Sequence, residues 1–258
     1  MANKDSLGDR MKQLYECVPR TRLMRRTPVI IRIDGKAFHT FTKKFHKPFD
    51  DILMKTMADT TYDLCANIQG CVFGYTQSDE ISLLLVDYKK LDSSAWFDNE
   101  VQKMCSVSAS MATLYFNKWL AYNVSRKDTN INDTAYLDAL NKAVNTGAMF
   151  DARVFNLPVN EVTNYFYWRQ LDAQRNSVQA LAQSYYKQKE LQGLSTSRLQ
   201  DKLLNEKGVN WDDLSTTKKR GICVKRDRFG AWTVDVQIPS FKYEGREYID
   251  PLLLPEEE

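Results

Sequence analysis

Pro28-Val29-Ile30-Ile31-Arg32-Ile33-Asp34-Gly35 is the stretch that decides how this chain folds. An apolar, β-branched run of strand length ends on an aspartate and a glycine, so a buried strand carries a carboxylate to a turn. Its counterpart is Cys71-Val72-Phe73-Gly74-Tyr75-Thr76-Gln77-Ser78-Asp79-Glu80, continued by Ile81-Ser82-Leu83-Leu84-Leu85. Strands over residues 70–77 and 80–87 flank the polar turn Gln77-Ser78-Asp79 and read as a hairpin. Each stretch therefore offers an acid where an apolar strand meets a turn.

The surrounding periodicity supplies the rest of the frame. Residues 50–67 read as a helix that Asp50 or Asp51 can cap, with Ile52, Met57 and Leu64 on its apolar face. A long helix is expected over about 97–121, with Val101, Met104, Val107, Met111, Leu114, Tyr115 and Leu120 inward and Ser106, Ser108 and Ser110 on another face. A fourth strand falls at 149–156. Strand, helix, hairpin, helix, strand is the order of a ferredoxin-like βαββαβ unit. The expected class is α+β, a polymerase-palm-like core with additional helices and a C-terminal β-hairpin.

Residues 5–18 read as a basic amphipathic helix, and 159–190 as one long helical pattern rich in aromatics and amides, broken near Gly193. A short helix over 195–206 follows, then a hairpin of 221–226 and 231–238 turning at Arg228-Phe229-Gly230. The expected division is a palm-like catalytic section with a basic N-terminal arm, 1–156, and a helical and hairpin section, 157–258, packed on it or continuous with it.

The 258 residues are 43% apolar and 27% charged, the balance of a soluble globular protein rather than a disordered one. The formal charge of +3 decides little, but its distribution is uneven. Arg10, Lys12, Arg20, Arg22, Arg25 and Arg26 gather in the N-terminal arm, and Lys218, Lys219, Arg220, Lys225, Arg226 and Arg228 form a second cluster. Such clusters suit a polyanion, or are simply solvated surface. No apolar run approaches the ~20 residues of a membrane span, and the N-terminus has no signal-peptide apolar region. Cys17, Cys65, Cys71, Cys105 and Cys223 lack C-x-x-C spacing and read as free thiols, so a cytoplasmic location is expected. With only His39 and His46 there is no His-rich metal site, and a Walker A loop is absent.

The acids suggest chemistry. A sharp turn after Asp34 lets the Gly35 carbonyl ligate a metal beside the carboxylate. The following N–H groups, Lys36 to His39, can form a nest for phosphate oxygens. Two carboxylates ~4 Å apart repel by ~4 kcal/mol at an effective dielectric of ~20, a cost that a divalent cation between them removes. Palm domains of polymerases hold metal against a nucleoside triphosphate this way, which makes nucleotidyl transfer the leading reading of Asp34, Asp79 and Glu80. Lys43, Lys44, His46 and Lys47 form a basic loop that can neutralise phosphates or merely sit in solvent. His39 can be a phosphate donor or a packed histidine. On the third stretch, Trp168-Arg169-Gln170-Leu171-Asp172-Ala173-Gln174-Arg175-Asn176-Ser177, helical spacing puts Asp172, Arg175 and Asn176 on one face. That face suits the 5′ end of a polynucleotide, or a helix–helix interface with an Asp–Arg pair.

Taken together these motifs resemble the tRNA-His guanylyltransferase family, whose members polymerise from 3′ to 5′. The resemblance runs from about Tyr15 to about Gln237. It rests on Arg32-Ile33-Asp34-Gly35-Lys36-Ala37-Phe38-His39, Lys47-Pro48-x-Asp50, Gly74-Tyr75-x-Gln77-Ser78-Asp79-Glu80, Phe150-Asp151-x-Arg153-Val154 and Tyr165-x-x-Trp168-Arg169-Gln170-x-Asp172. It implies two magnesium ions held by Asp34, Asp79 and the Gly35 carbonyl, with Glu80 in support. It places the Ala37–His39 backbone, Lys36, Lys47, Asp50 and Ser78 around the triphosphate, with Lys103 and Ser106 near the phosphates. Arg169, Asp172, Arg175 and Asn176 are expected at the RNA 5′ end. ATP or GTP would activate a 5′-monophosphate on tRNA, and the 3′-hydroxyl of an incoming nucleoside triphosphate would then attack it. A homotetramer, built as a dimer of dimers, is also implied.

One departure bears on substrate. Eukaryotic members that add G to tRNA-His carry His-Ile-Asn-Asn where this chain has Gln174-Arg175-Asn176-Ser177. The latter is similar to bacterial, archaeal or viral members that repair 5′-truncated tRNAs. Two other readings use the same acids differently. A palm-domain nucleotide cyclase or cyclic-dinucleotide synthase would need no RNA, and an inactive RNA-binding module would need no metal.

Overall fold

A computed structural model describes residues 6–126 and 133–255 of the chain. In chain order it contains α1 (Leu7–Met11), β1 (Val29–Gly35), α2 (Phe38–Phe41), α3 (Asp51–Asn67), β2 (Cys71–Gln77), β3 (Glu80–Leu85), α4 (Val101–Ser125), α5 (Thr134–Thr146) and β4 (Phe150–Asn156). It continues with α6 (Val159–Tyr185), α7 (Gln188–Leu191), α8 (Thr196–Lys207), α9 (Thr216–Arg220), β5 (Ile222–Arg226) and β6 (Trp232–Asp235).

The six strands form one antiparallel sheet in the order β4-β1-β3-β2-β5-β6. Helix α3 carries the chain from β1 to β2 and α4–α5 carry it from β3 to β4, so two strand–helix–strand crossovers interleave. The C-terminal hairpin is present, and β5 extends the sheet on its β2 edge. Among the described residues no helix is long and apolar enough to cross a membrane.

Both faces of the sheet are covered, which explains why Val29-Ile30-Ile31 is apolar without interruption. Ile31, Ile33, Ile81 and Leu83 pack with Met57 and Leu64 of α3 and with Met104, Phe116 and Leu120 of α4. Ile30, Phe73, Tyr75 and Leu84 face the other way, against Val162 and Phe166 of α6 and the C-terminal Phe241 and Ile249. A third cluster, Val178, Leu181, Leu199 and Leu203, joins α6 to α8.

Several boundaries differ from the expectations. The expected start of the N-terminal helix, residue 5, lies outside the described residues; α1 spans Leu7–Met11 and a π-helical turn, Lys12–Glu16, continues it. The long helix begins at Val101 rather than 97, because the chain first makes a separate 3-10 turn at Trp96–Asn99. Its buried row is Met104, Ser108, Ala112, Phe116 and Leu120, and Leu114 is 50% exposed. Ser108 can be buried because its hydroxyl donates to the Met104 carbonyl at 2.6 Å. Helix α6 stops at Tyr185, and α5, with Tyr136, Leu140 and Ala143 buried, has no counterpart among the expected elements. The last strand ends at Asp235.

Candidate active site

The acid-bearing ends of β1 and the β2–β3 turn lie side by side. Asp34 pairs across with Glu80 on β3 and with Asp151 on β4. The Gly35 N–H donates to the Asp79 carbonyl at 3.1 Å, which ties the strand end to the turn. Ser78 adopts a left-handed conformation with φ 51°, and its hydroxyl donates to Asp79 Oδ1 at 3.0 Å. Gly35 is required by packing. A Cβ there would lie 2.2 Å from the Phe38 ring, which is itself wedged among Phe41, Phe116 and Phe150. The chain thus folds an aromatic plug under the turn that follows Asp34.

Burial pushes the Asp79 carboxyl above the ordinary carboxylate range, and the field of Asp34 adds to that rise, opposed by the Ser78 hydroxyl. Such a raised pKa means that folding holds an ionised Asp79 in a place that disfavours it. The cost is present above the folded pKa and vanishes as pH falls through it. Asp79→Asn should therefore raise the melting temperature of the metal-free protein at pH 7, by roughly 2–4 °C for each kcal/mol relieved. Magnesium should narrow the difference by stabilising the wild type. A melting temperature that falls on this substitution would show that Asp79 is held by favourable contacts instead.

Glu80 does something different. It is buried, 5% exposed, and meets two guanidinium groups: Arg32 Nη2 at 2.7 Å from Oε2, and Arg169 Nε at 2.7 Å from Oε1. The second contact is an ion pair rather than an aligned hydrogen bond. Burial raises the Glu80 pKa, and Arg169 and Arg32 oppose it. Arg169 Nη2 also reaches Asp172 Oδ2 at 2.5 Å, and Asp172 in turn binds Arg175. A line of alternating charge runs from the acid cluster outward along α6.

Beside the acids opens a cleft of about 480 Å³, lined by His39, Lys47, Phe49, Ser78, Asn176 and Lys218 among others. Its walls come from the loop before α3, from the β2–β3 turn, from α6 and from α9. Asp50 braces that loop. It is 4% exposed, caps α3 by accepting from Leu53 N at 2.9 Å, and accepts from His46 N at 3.1 Å and from the Tyr136 hydroxyl at 2.6 Å.

The structure brings together Asp34, Gly35, Asp79 and Glu80, and sets His39, Lys47, Asp50, Ser78 and Asn176 around the neighbouring cleft. His39 is exposed there rather than packed in the core. Ala37 takes a left-handed conformation, φ 56°, and starts α2. The Lys36 N–H is already committed to the Met149 carbonyl at 2.8 Å, so an anion nest can begin only at Ala37. The Phe38 ring is core, which leaves only its backbone for a ligand. Lys103 and Ser106 are not brought to the acids. The part of α4 beside Gly35 is Thr113, whose hydroxyl accepts from Phe150 N at 3.2 Å, and Phe150 pairs with Gly35. At ~1.5 Å per residue Lys103 lies about 15 Å, and Ser106 about 10 Å, further back along the helix. Arg169, expected at the RNA 5′ end, is 3% exposed and engaged with Glu80, whereas Arg175 and Asn176 are exposed. Residues that sequence reasoning did not single out include Arg32 as a partner of Glu80, Tyr136 as the brace of Asp50, and Lys218 of α9 at the cleft. Each depends on a contact between distant segments that no local pattern signals.

Two interior strand ends carrying acids beside a cleft of about 480 Å³ form an arrangement that a nucleotidyltransferase can use. A family profile described as tRNAHis guanylyltransferase matches residues 8–158, and the chain belongs to that family of nucleotidyltransferases. A bacterial tRNA(His) guanylyltransferase (Thg1)-like protein solved in complex with ATP superposes with a TM-score of 0.84, at 42% identity over 96% of this chain and 99% of that one. The corresponding structure in complex with GTP gives 0.79 and 40%, with the same coverage. An uncharacterized protein of Acanthamoeba polyphaga mimivirus is 29% identical over 232 residues, 86% of this chain and 77% of that protein.

Proposed function

We propose that this chain activates the 5′-phosphate of a tRNA with ATP or GTP and then adds nucleotides there, in the 3′-to-5′ direction. Membership of the guanylyltransferase family supports the activity, and the relatives solved with ATP and GTP support the nucleotides. The observation that carries the reading is the pairing of Asp34 with the Asp79 turn beside the 480 Å³ cleft. The strand order β4-β1-β3-β2 with α3 and α4 on one face supports a palm-like, ferredoxin-like core.

The donor set fits a hard divalent cation. Among the described residues no three His, Cys, Asp or Glu side chains gather into a closed cage. Magnesium typically takes only one or two carboxylates and shares substrate phosphates, and the burial and neighbouring Asp34 charge that disfavour an ionised Asp79 are what a bound cation would offset. Asp34, Asp79 and the Gly35 carbonyl would hold the two ions of our reading, and bound magnesium supplies charge neutralisation and polarises the reacting phosphate.

The residues of the chain bind and orient. In this reading Lys47, Ser78 and the Ala37–His39 backbone hold the triphosphate, and Lys47, Ser78 and His39 line the cleft. In the first step an oxygen of the RNA 5′-phosphate bonds to the α-phosphorus of ATP, and pyrophosphate leaves. In the second, the 3′-hydroxyl oxygen of an incoming nucleotide bonds to the activated 5′-phosphorus, its proton is released and AMP leaves. Glu80 acts as a positioning residue, holding Arg32 and Arg169 beneath the acids.

Gln174-Arg175-Asn176-Ser177 favours repair over dedicated addition of G to tRNA-His. Arg175 is exposed and suits any 5′-phosphate, because a guanidinium pairs with phosphate oxygens regardless of sequence. Template pairing then supplies selectivity, at about 1–2 kcal/mol per step. The deciding experiment supplies 5′-monophosphorylated tRNA lacking its first nucleotide, together with intact tRNA-His, labelled nucleotides and magnesium in one tube. We expect label on the truncated tRNA first. Label on neither RNA removes the proposed activity, and equal use of both removes the repair assignment.

RNA affinity should fall as salt rises, with a slope of roughly 0.7–0.9 in log K per phosphate contacted. Many of the basic residues already have acidic neighbours: Arg20 with Glu100, Arg22 and Arg25 with Asp98, Lys218 with Asp51. The Asp98 pairs are exposed on both sides and therefore weak, so phosphates can replace that carboxylate. A salt-independent affinity would mean that these clusters serve only the fold. The active assembly in this proposal is a homotetramer, a dimer of dimers, in the cytoplasm, and light scattering would measure its mass.

A further inference from the structure

The acids separate two unlike surfaces. On the β2 side lies the cleft, which takes its α6 wall from Ala173 onward. On the β4 side stands Trp168. Its neighbours on α6, Tyr165 and Arg169, are buried, yet Trp168 is 52% exposed. The Arg169 guanidinium lies 4.2 Å from its ring centroid, the Arg32 guanidinium 6.0 Å, and the Tyr165 ring 5.9 Å. Cations against an indole face hold it in place, so the ring is anchored while half of it meets solvent.

Its position relative to the acids is fixed by register. Arg32 precedes Asp34 by two residues on the same side of β1, ~7 Å along the strand. Arg153 of β4 pairs directly across from Arg32 and presents an exposed side chain, with Asp151 at 3.3 Å. Leu171 and Arg175, both exposed, continue the Trp168 stripe along α6. A half-exposed aromatic ring anchored by guanidinium groups, beside the strand that ends at Asp34, has the make-up of a base-stacking platform with phosphate contacts.

We propose that Trp168 stacks on the nucleobase at the 5′ end of the RNA, on the opposite side of the acids from the triphosphate cleft. This rests on the nucleotidyl-transfer reading and names the RNA-positioning residue within it. The ring sets the end base, and with it the 5′-phosphorus, against Asp34 and Asp79. The nucleoside triphosphate is a poorer occupant, since Trp168 does not line the cleft.

The test uses the full chain and two 5′-monophosphorylated acceptor-stem RNAs that differ only in whether the 5′-terminal nucleotide carries its base or is abasic. Binding is measured for the wild type, Trp168→Ala and Trp168→Phe, with thermal melting to confirm folding. The wild type should prefer the base-bearing RNA. Trp168→Ala should lose about tenfold on that RNA and nothing on the abasic one, while Trp168→Phe keeps most of the preference. An unchanged affinity of Trp168→Ala, or an equal loss on both RNAs, overturns the platform while leaving the transfer reaction standing. An equal loss accompanied by a change in oligomeric mass assigns the ring to a contact between copies of this chain, which also overturns it. If the wild type neither binds nor extends tRNA, the transfer reading falls and the platform with it.

Discussion

Asp34→Ala and Asp79→Ala should each reduce nucleotidyl transfer at least a thousandfold without lowering the melting temperature below that of the wild type. Neither side chain packs in either sheet core, and Asp79 is held at an energetic cost rather than a gain. Loss of a charge that holds a metal against the reacting phosphate commonly removes several kcal/mol of transition-state stabilisation, and each ~1.4 kcal/mol is a factor of ten in rate. Single-turnover assays in saturating magnesium would measure the chemical step directly. Near-normal rates from either variant would leave the acid pair without a catalytic role.

Glu80→Ala should behave in the opposite way, with its main effect on stability. The substitution leaves Arg169, 3% exposed, with only Asp172 to answer its charge, and strips Arg32 of its carboxylate. Removing one partner of a buried pair typically costs ~3–5 kcal/mol, which for a chain of this size lowers the melting temperature by about 10 °C. Removing both, in Glu80→Ala with Arg169→Ala, should cost less than the sum of the two single changes, because no uncompensated charge then remains inside. Urea titrations of the four proteins complete the cycle. Additive costs would mean that Glu80 and Arg169 do not interact, whatever their separation.

The two acids differ in how openly the sequence displays them. Asp34 is legible because the run before it is buried on both faces and must therefore be an interior strand, and a strand that ends in Asp-Gly has few other uses. Asp79 is legible because one apolar strand run stops at Gln77 and the next begins at Glu80, which leaves only a tight turn. The role of Arg169 is not legible. A helical arginine normally snorkels to solvent, and its burial depends on Glu80, which arrives from another strand. Ser108 misleads for a similar reason. Its polarity suggests an outward face, but a bond to its own helix backbone lets it sit against the sheet. Lys103 and Ser106 follow the family motif in sequence, yet the direction in which α4 returns across the sheet carries them away from the acids. Local patterns report periodicity and turns well; they do not report which distant side chains neutralise one another.

The place of β1 and β3 in the sheet has a further consequence. Each is flanked by strands on both sides and covered on both faces, so their amides should be among the slowest in the molecule to exchange with deuterated water. Apart from the β2–β3 turn, the cleft walls come from the loop before α3, from α6 and from the short α9. Substrates can then enter and leave through brief openings of the walls while Asp34 and the Asp79 turn hold their spacing. The acids of the proposed site are thus mounted beside the part of the chain that opens last.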